Sequence, residues 1–506
     1  MSPRGVRVWR KLGDAYLCGR SHRHAFHVSF RVKMKVDRAL LQVSASRMAA
    51  LVTAKQLSPV ELVEAHIEQI ERLNPKLNAF VDLRSEAALA EARVAETMVT
   101  NGDQLGPLHG VPISIKSCID VAGMKCEAGS KLRAGNIPKK DAVLVQRLKA
   151  AGAIVLGVTN TPEFLMAWET DNLLYGRTNN PWDLARTPGG SSGGEAAAIA
   201  ADMSACGVGS DGGGSVRVPA HYTGIYALKP TPGRIPATGH FPSGAGPFAW
   251  LGQVGPMARY VEDLRVMLGV MSGYDIGDPV AAPVPLVETD ANGLRQIKIG
   301  YFEDDGVHPV SSETRAAVLA AAKALEQQGF VVESFRPDHL QRVHELWQDA
   351  FVRMTAMLFG PMLKGQEHRI SPILADMRKL QANLPPFTAE SLLTSIMERD
   401  IVREAVLRQM ERYPIWLLPV APGPAFRHGE IGWTPENHVA TFVETFPYTQ
   451  WFNLLGCPAA VVPVSKSAEG LPIGVQLAGR PWDDALVLAV AGAVEREFGY
   501  EPPPVG

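Results

Sequence analysis

Two glycine clusters that carry serine hydroxyls are the residues best suited to chemistry in this sequence. They occupy residues 189–194 and 212–215, and an alanine-rich segment joins them. Glycine lets the backbone approach a ligand closely and adopt positive φ, so such clusters form turns whose N–H groups can face a bound group. Their repetition, each time with a serine, predicts hydroxyl chemistry beside a nest of backbone donors.

Two short motifs inside this stretch give weaker indications. Residues 190–194 match G-x-S-x-G, the nucleophile elbow of α/β-hydrolases, with Ser192 at its centre. Residues 207–212 match G-x-G-x-x-G, but Ser215 and Pro219 follow too soon for a long phosphate-binding helix. No Walker A lysine, H-E-x-x-H or paired-cysteine motif accompanies them, so the sequence predicts neither a metal nor an organic cofactor.

Helix and strand patterns alternate along the chain, which predicts an α/β protein with a layered sheet. Lys116 ends a predicted strand over 110–116, and a helix at 141–151 and a buried strand at 153–158 follow. Residues 224–256 are rich in Gly and Pro and are predicted to be mostly loop. The same patterns predict further helices at 195–201, 312–328, 340–363, 389–412 and 483–497, and strands at 205–208, 297–301, 415–420, 459–464 and 473–477.

The composition is that of a globular protein with a large core: 506 residues, 46% hydrophobic, 20% charged, with a net charge of −2. The near-zero charge argues against a nucleic-acid surface. No apolar run reaches membrane-spanning length. The five cysteines show neither CxxC spacing nor a disulfide framework, which favours a reducing compartment. We therefore expect a cytoplasmic protein that binds neither nucleic acid nor membrane.

The N-terminal segment differs from the rest of the chain. Residues 1–33 hold eight Lys and Arg but a single acid, without periodicity or an apolar signal region. An organelle transit peptide fits this composition, but we favour an extension over 1–45 that is disordered or precedes the functional start at Met34 or Met48. We find no linker or internal repeat in the remainder, so one domain is predicted over 46–502.

Five sequence blocks together resemble the amidase signature family of serine hydrolases, which includes fatty acid amide hydrolase and the glutaminase component of glutamyl-tRNA amidotransferase. Their order and spacing fit from about residue 46 to residue 500, which makes chance assembly implausible. The resemblance implies a single α/β/α domain around a mixed, mostly parallel twisted β-sheet. The blocks are residues 107–116, 180–195, 209–219, 228–234 and 470–482.

The resemblance implies a Ser-Ser-Lys catalytic triad. Ser215 would be the nucleophile, Ser191 the bridging serine that follows a cis peptide bond in this family, and Lys116 the base. Physical chemistry agrees, because a serine hydroxyl is a weak nucleophile near neutral pH and needs a positioned base. A buried lysine can serve when desolvation lowers its pKa, and a second hydroxyl can relay the proton.

The residues around the triad receive supporting roles. Ser192 is expected to buttress the site, and Asp211 and Arg217 to support the glycine loop through an ion pair. Taken singly, each of these residues is more typical of a turn, a helix cap or a surface position; the combined pattern favours catalysis. The expected oxyanion hole consists of the backbone N–H groups of Gly212, Gly213, Gly214 and Ser215.

The function that the resemblance implies is hydrolysis of a carboxamide to a carboxylate and ammonia or an amine, through an acyl-enzyme and without a cofactor. The expected partner is a small-molecule amide, and the family favours a homodimer. Two alternatives stay open: the glutaminase subunit of a tRNA-dependent amidotransferase, and a non-catalytic scaffold on the same fold.

The substrate pocket is expected to draw on residues 164–175, 239–252 and the helices between 340 and 412. The chain departs from the family pattern at Ser117-Cys118, where an Asp-Asn pair is common; Cys118 is interpreted as a packed neighbour of Lys116, not a second nucleophile. Four aromatic residues in the pocket segments favour an apolar acyl or aryl group, namely Trp168, Phe248, Trp250 and Trp347.

Overall fold

The computed structural model describes residues 38–505, apart from 245, 247, 289–290, 383 and 431–443. One eleven-stranded sheet runs through it, in the order β1-β3-β2-β4-β6-β5-β10-β11-β9-β7-β8. The strands are β1 (Phe80–Leu83), β2 (Pro112–Lys116), β3 (Ile154–Thr159), β4 (Cys206–Asp211), β5 (Tyr226–Lys229), β6 (Gln253–Ala258), β7 (Lys298–Tyr301), β8 (Val331–Ser334), β9 (Ile415–Pro419), β10 (Ala459–Lys466) and β11 (Pro472–Gly479).

The pairing directions confirm a mixed sheet and correct one part of the prediction. Four neighbouring pairs are parallel, namely β2–β3, β2–β4, β7–β8 and β7–β9. The other six are antiparallel, so "mostly parallel" is wrong. One of these pairs follows from a short connection: β10 and β11 are joined by a tight turn at 467–471, which forces antiparallel pairing, whereas parallel strands need a long crossover.

Helices lie on both sides of the sheet, as expected of an α/β protein. In the described part of the chain, none has both the length and the apolar character needed to cross a membrane. The helices are α1 (Arg38–Gln42), α2 (Ala45–Thr53), α3 (Pro59–Leu77), α4 (Ser85–Asn101), α5 (Val143–Ala150), α6 (Gly193–Ala200), α7 (Arg217–Thr223), α8 (Phe248–Leu251), α9 (Val261–Met271), α10 (Ala291–Arg295), α11 (Ser312–Gln327), α12 (Leu340–Leu363), α13 (Pro372–Ala382), α14 (Ala389–Arg412), α15 (Pro447–Leu454) and α16 (Asp484–Phe498).

The strand that ends in Lys116 lies well inside the sheet. All five residues of β2 are buried, and its neighbours β3 and β4 run parallel to it on either side. Because the carboxyl ends of parallel strands meet at one edge, the end of β2 lies beside the end of β4, where the second glycine cluster begins. The sheet therefore brings the lysine and the glycine loop together.

The segment 224–256 is mostly loop, as predicted, but the prediction missed two short strands there. It contains β5 and β6, which pair with each other antiparallel and connect β4 to β10 across the middle of the sheet. Both strands are entirely buried. Gly and Pro residues flank these short strands, and this composition favours a loop prediction at their positions.

The packed structure begins before the predicted boundary at residue 46. Leu41 on α1 is buried, and its carbonyl accepts a hydrogen bond from Arg259 at 2.7 Å. The Asp263 carboxylate accepts from the backbone N–H groups of Ala45 and Ser46 at the start of α2, at 2.9 and 2.8 Å. The segment before residue 46 therefore contacts Arg259 and Asp263, which are remote from it in sequence. The rest of the predicted extension, residues 1–37, lies outside the described residues.

Candidate active site

Lys116 is the centre of a buried polar cluster at the carboxyl end of β2. Its Nζ lies 2.6 Å from the Oγ of Ser191, 2.9 Å from the Oγ of Ser192 and 3.2 Å from the Oγ of Ser210. Burial lowers the pKa of Lys116 to about 8, because desolvation disfavours the charged ammonium; nearby acidic groups offset only part of that effect. A substantial neutral fraction therefore exists slightly above neutral pH.

The two glycine clusters are joined at this point. The N–H of Ser192 donates to the carbonyl of Ser215 at 3.1 Å, and the hydroxyl of Thr161 donates to the carbonyl of Ser191 at 2.8 Å. The Gly190–Ser191 peptide bond is cis. The structure thus brings Lys116, Ser191 and Ser215, which lie far apart in the sequence, into one site.

Ser192 takes a different position from the other two serines. Its hydroxyl interacts with the Nζ of Lys116 and with the backbone N–H and carbonyl of Ser210. Ser191 and Ser215 line the neighbouring cavity, and Ser192 does not. This position fits a buttress and not the attacking group of a nucleophile elbow.

The second glycine loop is held by the Asp211 carboxylate. Arg217 donates to it twice, at 3.0 and 2.9 Å, and the two side chains form the ion pair that the sequence predicted. Burial alone would raise the pKa of Asp211, but the charge and hydrogen bonds of Arg217 outweigh it and hold the pKa well below its ordinary value. The backbone N–H groups of Gly214 and Val216 also donate to this carboxylate, at 2.7 and 3.1 Å.

The hydrogen bond from Gly214 corrects one part of the predicted oxyanion hole. An N–H that donates to a buried carboxylate at 2.7 Å is not free to stabilise a substrate oxygen. The structure therefore argues against Gly214 as a donor. Gly212, Gly213 and Ser215 all line the cavity, so the remaining predicted donors lie where a substrate could reach them.

Two side chains that sequence reasoning missed complete this network. Arg217 also donates to the side-chain oxygens of Gln476, at 2.7 Å, and Asn453, at 2.5 Å. Asn453 in turn donates to the Asp211 backbone carbonyl at 3.0 Å. Gln476 belongs to the fifth sequence block, which was a usable signal, whereas nothing in its local sequence distinguishes Asn453.

A third missed residue lies behind β2. Glu195 on α6 is fully buried and accepts hydrogen bonds from the hydroxyls of Ser114 and Thr159, the latter at 2.6 Å. Burial raises the pKa of Glu195 to about 7, although these hydrogen bonds and the Lys116 charge oppose the shift. Glu195 is the last residue of the sequence block 180–195, so the motif includes it. Its contacts are evident only in the structure.

An open cavity adjoins the serines. The three predicted pocket segments all contribute to it, but Trp250 contacts Arg399 instead, and the Phe248 side chain lies outside the described residues. Among the described lining residues, the only side chains of ionisable type are those of Asp211 and His240. The apolar walls come from Phe164, Leu165, Met166, Ala167, Trp168, Pro242, Leu251, Trp347 and Phe351.

No group of three or more His, Cys, Asp or Glu side chains suited to a metal ion occurs among the described residues. What the arrangement offers chemically is a hydroxyl in a cavity, backbone donors beside it and a buried amine of lowered pKa.

Comparison with known proteins decides which family this site belongs to. A family model described as Amidase matches residues 61–488 of the chain. The chain belongs to the amidase family. This confirms the resemblance drawn from the five sequence blocks, and with it an enzyme that hydrolyses carbon–nitrogen bonds of amides.

Individual members of the amidase family are similar over nearly the whole chain. Indoleacetamide hydrolase of Bradyrhizobium diazoefficiens is 38% identical, covering 90% of this chain and 87% of that protein. A glutamyl-tRNA(Gln) amidotransferase subunit of Carboxydothermus hydrogenoformans is 32% identical, covering 91% and 98%. The crystal structure of a bacterial aryl acylamidase superposes with a TM-score of 0.80 at 27% identity, covering 90% and 96%.

Cys118 marks where this member departs from the pattern that we expected of the amidase family. Its Sγ lies 3.5 Å from the Nε2 of His240 and 3.6 Å from the Oγ of Ser210. The Nδ1 of His240 lies 2.9 Å from the carbonyl of Pro242, which makes Nδ1 the donor and Nε2 the acceptor of the thiol proton when the ring is neutral. Cys118 is fully buried and does not line the cavity, which fits a packed neighbour of Lys116.

Proposed function

We propose that this amidase cleaves a carboxamide through an acyl-enzyme on Ser215, with Lys116 as base and Ser191 as proton relay. The observation that carries the proposal is the 2.6 Å contact between Lys116 Nζ and Ser191 Oγ, beside a cavity that Ser215 also lines. Ser215 is only 8% exposed, so a substrate must enter the cavity to reach it.

The acylation step follows from these positions. Neutral Lys116 accepts the hydroxyl proton of Ser191 while Ser191 takes that of Ser215, and the Ser215 oxygen attacks the amide carbonyl. The oxyanion of the tetrahedral intermediate is stabilised by the remaining donors, the N–H groups of Gly212, Gly213 and Ser215. The proton returns through Ser191 to the leaving nitrogen, the C–N bond breaks, and ammonia or an amine departs.

Deacylation repeats the same proton path with water as the nucleophile. Lys116 and Ser191 take a proton from the attacking water, and the intermediate collapses to release the carboxylate and restore the Ser215 hydroxyl. One amide and one water give one carboxylate and one protonated amine or ammonium ion. The two steps need only the side chains and backbone donors named above.

The cavity walls favour an amide with an apolar, preferably aromatic, acyl group. Seven wall residues are large and apolar: Phe164, Leu165, Met166, Trp168, Leu251, Trp347 and Phe351. Burying an aromatic ring against such walls removes a large apolar area from water. The names of the indoleacetamide hydrolase and of the aryl acylamidase point to aromatic substrates for those relatives, which supports the same class here.

A glutaminase component of an amidotransferase is the second candidate, because glutamyl-tRNA(Gln) amidotransferase subunits are similar over the same length. Glutamine carries an α-ammonium and an α-carboxylate, and both need charged or well-directed polar partners when they leave water. Of the two described lining residues with ionisable side chains, Asp211 is already paired with Arg217, and His240 lies within hydrogen-bonding distance of Cys118 and the carbonyl of Pro242. The cavity therefore favours an uncharged amide over glutamine.

The decisive experiment is covalent labelling of the wild-type protein with a fluorophosphonate, followed by peptide mapping and a screen of aryl and alkyl carboxamides. The proposal expects one adduct, on Ser215, that disappears in Ser215→Ala and forms much more slowly in Lys116→Ala. An adduct on Ser192 would instead support the interpretation of residues 190–194 as a nucleophile elbow. No adduct and no amide hydrolysis by folded protein would leave the scaffold alternative.

Assembly and location stay predictions. A homodimer follows only from the family resemblance, and sedimentation velocity of the purified chain would test it. The cytoplasmic location follows from composition and cysteine usage, and fractionation of the source cells would test it. The proposed reaction depends on neither, since both serines and the lysine belong to one chain.

A further inference from the structure

Two tryptophan indoles hold successive carbonyls of the second glycine loop. The Nε1 of Trp347, on α12, donates to the carbonyl of Gly212 at 3.0 Å, and the Nε1 of Trp168 donates to that of Gly213 at 3.1 Å. The carbonyl of Gly213 accepts a second hydrogen bond from the hydroxyl of Thr449 at 2.8 Å. Three side chains from separate parts of the chain thus meet on two peptide groups.

These contacts fix the direction of the N–H groups because a peptide group is planar. In a trans peptide the C=O of one residue and the N–H of the next point in opposite directions. The carbonyl of Gly212 shares its plane with the N–H of Gly213, so Trp347 orients that N–H. The carbonyl of Gly213 shares its plane with the N–H of Gly214, which is bound to Asp211 at 2.7 Å. The Gly212–Gly213 peptide plane is therefore held by the buried indole of Trp347. The Gly213–Gly214 plane is held at its carbonyl and at its N–H.

The same indole rings form cavity wall. Trp168 and Trp347 both line the cavity, with their ring centroids 6.1 Å apart. Trp347 stacks on Phe351 at 4.5 Å, and Trp168 stacks on Phe446 at 5.1 Å, which restrains both rings. A Cβ on Gly213 would lie 2.5 Å from the Trp347 ring, so only glycine fits beneath it.

We propose that Trp347 is a positioning residue for the oxyanion donor Gly213 as well as a wall that selects the acyl group. The inference rests on the proposed function and deepens it. An acyl group that packs against the Trp347 ring contacts the same side chain that aims the Gly213 N–H. Recognition of the acyl group and stabilisation of the oxyanion are then coupled through one side chain that does not itself react.

The test separates the indole N–H from the ring. Trp347→Phe keeps an aromatic wall but removes the donor to the Gly212 carbonyl. Trp168→Phe also keeps an aromatic wall, but it removes a donor only from the peptide whose N–H is bound to Asp211. We expect kcat for an aryl carboxamide to fall roughly ten- to a hundredfold in Trp347→Phe and by a clearly smaller factor in Trp168→Phe, with KM changed less than about threefold in Trp347→Phe. A Trp347→Phe variant that alters only KM, or neither constant, or an equal loss of kcat in both variants, would overturn the proposal.

A second readout does not need catalysis. In ¹⁵N-tryptophan-labelled wild-type protein, the indole N–H signals of Trp168 and Trp347, assigned by their loss in the two Phe variants, should exchange with solvent slowly. Exchange as fast as that of a free indole would refute the hydrogen bonds on which the inference rests. Slow exchange in a protein that hydrolyses no amide and takes no fluorophosphonate would instead defeat the proposed function and leave the loop geometry standing.

Discussion

Lys116 and Ser191 lie 75 positions apart in the sequence, and their Nζ and Oγ atoms are 2.6 Å apart in a fully buried cluster. The ammonium is surrounded by hydroxyls and a carbonyl, and no carboxylate is hydrogen-bonded to it among the described residues. A lysine whose partners are neutral loses its proton more easily than one paired with an acid. The hypothesis that Lys116 is the base can therefore be tested by the pH dependence of the reaction rate.

The kcat/KM of amide hydrolysis should rise with pH and level off above an apparent pKa of about 8, which is the pKa of Lys116. The sign follows because only neutral Lys116 can accept the serine proton, and raising the pH increases that form. Steady-state rates between pH 6 and 10 check this. Lys116→Arg, charged throughout, should lack the rising limb and lose roughly a thousandfold in activity. A flat wild-type profile would contradict the assignment.

The three serines should differ in the size of their effects. Ser215→Ala removes the nucleophile and Ser191→Ala the relay, so each should lower kcat by roughly a thousandfold or more. Ser192→Ala removes one hydroxyl from the Lys116 cluster, and we expect a loss of only about tenfold. Rates with one amide, measured on variants of equal thermal stability, distinguish the three. Equal losses for Ser191→Ala and Ser192→Ala would argue against separate roles.

Breaking the Asp211–Arg217 pair should destabilise the fold. Both side chains are fully buried, so Arg217→Met leaves a carboxylate with its charge uncompensated and should lower the free energy of unfolding by about 3–5 kcal/mol. Urea denaturation followed by tryptophan fluorescence measures the change. Arg408→Ala, which removes an exposed i,i+4 pair with Glu404, is the matched control and should leave the urea midpoint unchanged. Similar midpoints for both variants would refute the argument.

Glu195 should make stability depend on pH in the mildly acidic range. Its pKa rises from 4.5 in the unfolded chain to about 7 in the folded protein, so folding favours the protonated form. Protonated Glu195 contributes fully to the stability of the fold below pH 4.5, and this contribution is lost as the pH rises to 7. Relative to Glu195→Gln, the wild type should therefore lose up to about 3 kcal/mol across this window. Urea titrations of both proteins at several pH values check it, and parallel curves would contradict it.

Some structural features were predictable because their signals are local. The helices at 340–363 and 389–412 have the bounds that periodicity predicted, and the strand ending at Lys116 ends there. Apolar periodicity reflects which face of an element is buried, and long elements repeat it many times. The short strands β5 and β6 contain too few residues to show a period, and Gly and Pro around them favoured a loop.

By itself, the sequence determined the family and predicted which residues react, because both inferences depend on residue type and spacing along the chain. Only the tertiary structure decided which groups are engaged. In the structure, the Gly214 N–H donates to Asp211 and Arg217 donates to Asn453. The indoles of Trp168 and Trp347 donate to carbonyls of the glycine loop. The physical reason is that hydrogen bonds depend on direction and distance between segments that are remote in sequence, and no local pattern encodes them.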